Sequence, residues 1–249
     1  MNDLFQALRF LTRLPLPLTR QSNQQILTMG SCVPWFAFVG LILGSLLAAL
    51  AWLLVEVLLL PSLLSATLIV TAWVFLTGAL HLDGLADCAD AWMSCTNKER
   101  MLEIMQDSRS GVGGVVILVL ALLVKSAAVV VLLEHDRAVW LILSATIGRA
   151  MMVLVVLYVP YVRAEGLGRS IKETMQRCHV WIGLLLPILL LLVVLPLPSL
   201  FAIVGGLIAL TCVWLWIIKP LGGANGDVYG AVNECVEIGV LIALCLKLS

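Results

Sequence analysis

Charge is what this sequence has least of: Asp, Glu, Lys and Arg together make up 12% of its 249 residues, about half the share of an ordinary soluble domain. It also lacks an excess of either sign, since 15 basic residues face 15 acidic ones. With no net field to gather a polyanion, nucleic acid is not expected as a partner, and a substrate has to be held by local groups. Seven cysteines are scattered without a Cys-x-x-Cys pair. An odd, unpaired set excludes a disulfide framework and predicts free thiols. His81, Cys88 and Cys95 recur every seven residues, but no fourth ligand accompanies them, so zinc is not expected. No internal repeat is visible. The start has neither the long apolar core nor the small-residue cleavage site of a secretory signal, so it is expected to be retained.

Hydrophobic residues fill the space: 62% of the chain, with a mean hydropathy of +1.10. Apolar stretches of roughly 20 residues, enough to cross a hydrocarbon core as helix, recur throughout. They are read at 35–60, 63–80, 115–133, 138–159, 180–195, 200–218 and 235–248, the fifth kinked or broken near Pro187 and the last one short. The expected fold is therefore all-α, a polytopic integral membrane bundle of about 6 to 7 transmembrane helices, one domain over 1–249. Before the first span, Leu4, Phe5, Leu8 and Leu11 recur at helical spacing opposite Asp3, Gln6, Arg9 and Arg13. That pattern predicts a helix lying on the bilayer surface, stopped by Pro15 and Pro17. Arg20, Lys98, Arg100, Arg109, Arg163 and Lys219 fall on the same side as Arg9 and Arg13, against Arg137 and Lys247 on the other. By the positive-inside bias that side is the cytoplasm. It also receives the long polar segments 81–112, 160–179 and 219–233, where the chemistry is expected.

Three of those segments carry acids. In His81-Leu-Asp83-Gly-Leu-Ala-Asp87-Cys-Ala-Asp90 the three aspartates fall within about 60° of one another on a helix. Like charges at i+3 and i+4 repel, and a bound hard cation such as magnesium or manganese relieves them. A solvated helix face is the plainer alternative, but the stripe directly follows an apolar span and is interleaved with small residues that allow close packing. Farther on, Glu103 and Asp107 sit one turn apart. Arg109 and the glycines Gly111, Gly113 and Gly114 then lead into the third span. Such a stretch lets backbone amides and a helix N-terminus approach phosphate oxygens, with Arg109 as a clamp; otherwise it is an ordinary loop. The last segment runs from Lys219 through Gly222, Gly223, Asn225, Gly226 and Asp227 to Glu234 and Glu237. Within the spans, Lys125 either snorkels to the interface or faces inward, and Arg149, with small neighbours, is expected to meet a substrate phosphate or a carboxylate.

The blocks His81–Asp90, 100–114 and 222–237, with the start Arg13-Leu-Pro15-Leu-Pro17, resemble the cobalamin synthase (adenosylcobinamide-GDP ribazoletransferase) family in order and spacing. The resemblance implies transfer of the cobinamide phosphate of adenosylcobinamide-GDP to alpha-ribazole or alpha-ribazole 5'-phosphate, with release of GMP. It also implies a bacterial cytoplasmic (inner) membrane location and dependence on Mg2+, with Mn2+ as the alternative. On this reading Asp83, Asp87, Asp107, Asp227 and Glu103 are metal ligands, and Asp90 is a ligand or the base. Arg109, Arg149 and Lys219 contact phosphate, and Gly111, Gly113, Gly223, Asn225 and Gly226 shape the cradle. The lipid bilayer is the surrounding partner, and a homo-oligomer stays open.

Two other readings compete. The CDP-alcohol phosphotransferases of lipid synthesis also carry an aspartate cluster beside a membrane helix. This chain has Asp87 where they have arginine, and it lacks their second Gly-x-x-x-Asp-x-x-x-Asp block. A cation-coupled transporter would likewise use intramembrane charges, but here the acids gather at one face rather than at the midplane.

Overall fold

Once water is gone, a backbone can satisfy its own N–H and C=O groups only as helix or closed barrel, and long runs of Leu, Val, Ile and Ala take the first course. The structure, a computed structural model, describes residues 2–15, 29–94, 97–107, 109–163 and 166–248. In chain order the helices are α1 (Asn2–Leu11), α2 (Met29–Val57), α3 (Ser62–Thr77), α4 (Leu80–Met93), α5 (Lys98–Ile104) and α6 (Val112–Glu134). They continue with α7 (Ala138–Tyr158), α8 (Leu167–Thr174), α9 (Arg177–Val194), α10 (Pro196–Leu221) and α11 (Gly226–Leu246). Among the described residues, six helices are long and apolar enough to cross a membrane, and seven spans result if α3 and α4 count as one bent pair. The chain is a multi-pass, all-α membrane bundle.

Two helices form its interior. The apolar window of α7 is 83% buried and that of α11 67%, against 22% for α6, so the outer helices leave their leucines and valines to lipid. Helix α11 packs against α10, α4, α7 and α6, and α7 packs in turn on α2. Helix α1 lies along the start of α2 with Ala7, Leu8 and Leu11 buried while Phe5 stays exposed, the one-sided pattern its spacing predicts. Its end is tied down where the Arg13 N–H donates to the Leu76 carbonyl at 2.6 Å. Pro17 and Arg20 lie outside the described residues.

The structure differs from the sequence reading in three places. The apolar run 63–80 is not one straight span: α3 ends at Thr77, and Gly78 and Ala79 both take left-handed conformations, with φ of 62° and 56°. A left-handed glycine is a usual helix terminator, and here it swings α4 through 90°. The last helix begins at Gly226 rather than near Cys235. Asn225 caps it by accepting from the Val228 N–H at 2.9 Å, and Glu234 and Glu237, two to three turns in, are paired inside the bundle. Pro187, expected to kink or break the fifth span, does not break it: the residue lies inside a continuous α9.

Candidate active site

The corner at Gly78 brings two acidic motifs together. Helix α4 runs across the N-terminal part of α11, and glycines let the two backbones approach closely. A Cβ on Gly84 would lie 2.5 Å from the Asp227 carbonyl oxygen, and one on Gly230 would lie 2.9 Å from that of His81. Asp83, exposed, and Asp87, half-buried, therefore share one face with Asp227. Asp87 feels the charges of Asp227, Asp83 and Asp90 together, with Arg163 as the cation facing them. Carboxylates from segments far apart in the chain are thus concentrated in one place, with Arg163 the guanidinium among them in the described residues.

Asp227 is held by two neighbours. Arg163 donates through Nη2 to Asp227 Oδ2 at 2.7 Å and to the Met105 carbonyl at 3.2 Å. Asn225 Nδ2 donates to the same carboxylate oxygen at 3.0 Å while its Oδ1 caps α11. The loop that carries Arg163 is pinned in turn: the Val162 N–H donates to the Ala224 carbonyl at 3.0 Å and the Ala224 N–H to the Pro160 carbonyl at 2.9 Å. Gly223 is walled by Val162 and Pro160, with no space for a side chain. Gly226 is open and faces the cavity described below.

Asp90 does something the sequence reading did not foresee. Its Oδ2 accepts from the Gly111 N–H and its Oδ1 from the Gly114 N–H, both at 2.7 Å. The N-terminus of α6, expected to cradle a phosphate, holds this carboxylate instead, and the partial positive charge of the helix end favours it. A Cβ on Gly111 or Gly114 would run into Asp90, and one on Gly113 into the Met93 sulfur with Asp90 close behind. The glycines are there for an internal anion, and Asp90 acts as a strut between α4 and α6.

The remaining predicted residues divide. Asp107 and Arg109 form an exposed pair, with Arg109 Nη2 2.7 Å and Nε 3.0 Å from the two carboxylate oxygens. These hydrogen bonds hold the Asp107 carboxyl down at about 2. Glu103 is exposed and bound to Arg100 at 2.8 Å, and Lys219 is exposed at the end of α10. Arg149 is not at the phosphate: it is fully buried, and its Nη1 donates to Glu237 Oε1 at 2.5 Å and to the Ala145 carbonyl at 2.8 Å. Lys125 does not snorkel. It is buried, paired with Glu234 at 2.8 Å and Glu237 at 2.5 Å, and its ammonium sits 4.2 Å over the Trp73 ring. Two cations and two anions balance inside the bundle, which is how a membrane interior retains charge.

Beside Asp83 and Asp227 lies a cavity of about 280 Å³ lined also by Arg163, His81 and Tyr229. A larger hollow of about 510 Å³, between α2 and α9, holds Asp3 as its single carboxylate, too little acid for metal or phosphate chemistry. Six cysteines, Cys32, Cys88, Cys178, Cys212, Cys235 and Cys245, are free thiols. Cys95 lies outside the described residues.

A family profile described as Cobalamin-5-phosphate synthase matches residues 3–245. The chain belongs to this family. Curated relatives extend the match: an adenosylcobinamide-GDP ribazoletransferase of Pseudomonas syringae pv. syringae is 41% identical over 251 positions, covering 99% of this chain and 100% of its own. Proteins of the same name from Pseudomonas fluorescens (strain Pf0-1) and Acinetobacter baumannii are each 39% identical, covering 99% and 95% of this chain and 100% and 94% of their own lengths. No solved structure is detectably similar.

Within this family, the donor chemistry of the site decides which cation suits it. Among the described residues no three His, Cys, Asp or Glu side chains close into a ready cage. Magnesium needs none, because it keeps several waters and takes one or two carboxylates plus the substrate's own phosphates. An all-oxygen set of Asp83, Asp87 and Asp227 with one opposing arginine fits such an ion, or manganese. Asp107 and Glu103, expected in the same set, are engaged by arginines of their own. The residue that sequence reasoning passed over is Arg163. It entered only as part of the basic bias, although its isolation in the loop after α7 was the available signal.

Proposed function

We infer that this chain transfers the cobinamide phosphate of adenosylcobinamide-GDP to alpha-ribazole or its 5'-phosphate, releasing GMP in the last assembly stage of cobalamin biosynthesis. What carries the reading is the meeting of Asp83, Asp87 and Asp227 at one face, on a chain matched by the family over nearly its whole length. The acceptor hydroxyl oxygen forms a bond to the phosphorus that bears cobinamide. The bond from that phosphorus to the bridging oxygen breaks, and GMP leaves with that oxygen and its electron pair. Asp83, exposed and lining the cavity, is the carboxylate we assign to take the hydroxyl proton. Asp83, Asp87 and Asp227 would hold magnesium, which when bound neutralises charge on the diphosphate. Arg163 and Asn225 keep Asp227 aimed. Arg109, whose side chain is 88% exposed, and Lys219 reach the guanosine phosphates by giving up solvent, and in the case of Arg109 by giving up Asp107.

We assign this face to the cytoplasmic side of a bacterial inner membrane, a reading that the basic bias of the polar loops supports as to side. The lipid phosphotransferase and carrier readings have no comparable support. The test is GMP release by detergent-purified protein given adenosylcobinamide-GDP and alpha-ribazole phosphate, with magnesium and with EDTA. Metal-dependent release with a cobalamin product is expected. CMP release from a CDP-alcohol in its place would transfer the chain to the lipid reaction.

A further inference from the structure

Only one side of the 280 Å³ cavity is explained by phosphate chemistry. Its other wall is apolar, built from Phe10 and Leu11 of α1, Phe36 of α2, Met152 and Val156 of α7 and Ile171 of α8. Three buried polar atoms of lining residues have no hydrogen-bond partner among the described residues: Nε of Arg163 on the acidic side, Nε2 of His81, which is 2% exposed, and the hydroxyl of Tyr229, which is 8% exposed. The protonation of His81 follows from its neighbours. Asn233 Nδ2 lies 3.0 Å from the acceptor Glu237 Oε1 and 3.2 Å from His81 Nδ1, so the amide donates to both. In a neutral ring whose Nδ1 accepts, the proton is on Nε2. An N–H donor and a hydroxyl of lining residues therefore stand unpaired just behind the surface of an apolar chamber, a costly state for buried polar groups.

We propose that this cavity is the acceptor subsite, in which the benzimidazole base of ribazole lies on the apolar wall and its unsubstituted ring nitrogen accepts from His81 Nε2. The ribose then faces Asp83 and Asp227, where its hydroxyl is needed. The inference rests on the ribazoletransferase reading above. Size is consistent: the volume sits at the lower end of small-molecule pockets, about 300 Å³, enough for a bicyclic base with sugar and too little for a corrin macrocycle. The competing occupant is the guanine of the donor. Its N1–H, exocyclic amine and O6 would lose their hydrogen bonds to water against phenylalanine, leucine, methionine and valine side chains, a desolvation cost that an apolar wall does not offset. His81 is on this view a substrate-contacting residue, and Asn233 positions it by fixing the tautomer.

The deciding experiment varies both substrates in steady state with the full-length wild-type protein in detergent, adding free 5,6-dimethylbenzimidazole or guanosine as inhibitor. Dimethylbenzimidazole should compete with alpha-ribazole phosphate and not with adenosylcobinamide-GDP, and guanosine should not compete with alpha-ribazole phosphate. Val156→Phe, which fills the wall, should raise KM for alpha-ribazole phosphate about tenfold with KM for the donor unchanged. His81→Phe should act in the same direction, and His81→Gln, which restores an amide donor, should recover part of the loss. Competition by guanosine against alpha-ribazole phosphate, or a change confined to the donor's KM, overturns the assignment. A wild-type protein that released no GMP would instead overturn the reaction on which it rests, so the two failures are told apart before any variant is made.

Discussion

Arg163 is one guanidinium among several carboxylates, and its two contacts give it two separable effects. Arg163→Ala removes the partner of a part-buried carboxylate, and kcat/KM is expected to fall about a hundredfold, equivalent to about 2.7 kcal/mol of lost organisation at the reacting phosphorus. Arg163→Lys keeps the charge but replaces the rigid planar guanidinium, whose Nη2 donates to both Asp227 and the Met105 carbonyl, with a flexible ammonium, so it should recover only part of the rate. Initial rates across a magnesium titration check both, because a misaimed Asp227 also raises the magnesium needed for half-maximal rate. Asp83→Asn should leave less than about 1% of the wild-type rate at any magnesium concentration, since it removes a proposed ligand and base together. Asp107 behaves differently. Its carboxyl, held at about 2 by Arg109, lies below its unfolded value. Whatever the pair contributes is therefore fully present above about pH 4 and is lost only as pH falls toward 2. The acid limb of the activity profile between pH 5 and 7 should then be unchanged in Asp107→Asn, which a pH–rate comparison tests.

Helix α4 shows what a local reading can and cannot see. The period of Asp83, Asp87 and Asp90 predicted a helix with one acidic stripe, and the stripe is present. The stripe then splits according to what each carboxylate meets, and those partners lie far off in sequence: Asp90 meets N–H groups 21 and 24 residues away, while Asp83 and Asp87 face Asp227 of α11, itself bound to Arg163 across 64 residues. A glycine-rich run before a helix looks the same whether its amides await a phosphate or an aspartate of the same chain. The sequence showed a place for an anion without saying whose it was. Asp90→Ala, which removes two charge-assisted hydrogen bonds from the start of α6, should cost about 2 kcal/mol of stability. It should lower the thermal midpoint in detergent, with Asp90→Asn intermediate. If Asp90 were chiefly a base or ligand, Asp90→Asn would abolish activity and leave the midpoint unmoved. Most spans were readable because unbroken apolar runs leave few alternatives. The true start of α11 was hidden because Glu234 and Glu237 look like a solvated turn until Lys125 and Arg149, 109 and 88 residues away, are seen opposite them.

At the scale of the whole molecule the bundle is organised around that interior set of charges. Lys125→Met leaves Glu234 and Glu237 buried with Arg149 alone, and breaking a buried ion pair typically costs about 3–5 kcal/mol. The expected result is loss of detergent-stable protein. Lys125→Met combined with Glu234→Gln restores neutrality and should recover most of it, measured by monodispersity and thermal midpoint. Failure of the double variant to recover would mean that packing around Trp73 matters more than charge balance. The same four charges impose an order on synthesis. A lone Lys or Arg in the middle of a span opposes insertion by roughly 3 kcal/mol, and α6 and α7 leave the ribosome with one each long before their carboxylates exist. Helix α11 emerges last with the missing acids, so until it arrives the nascent chain holds two uncompensated cations in the bilayer, and its completion is what lets the earlier helices stay where they were threaded.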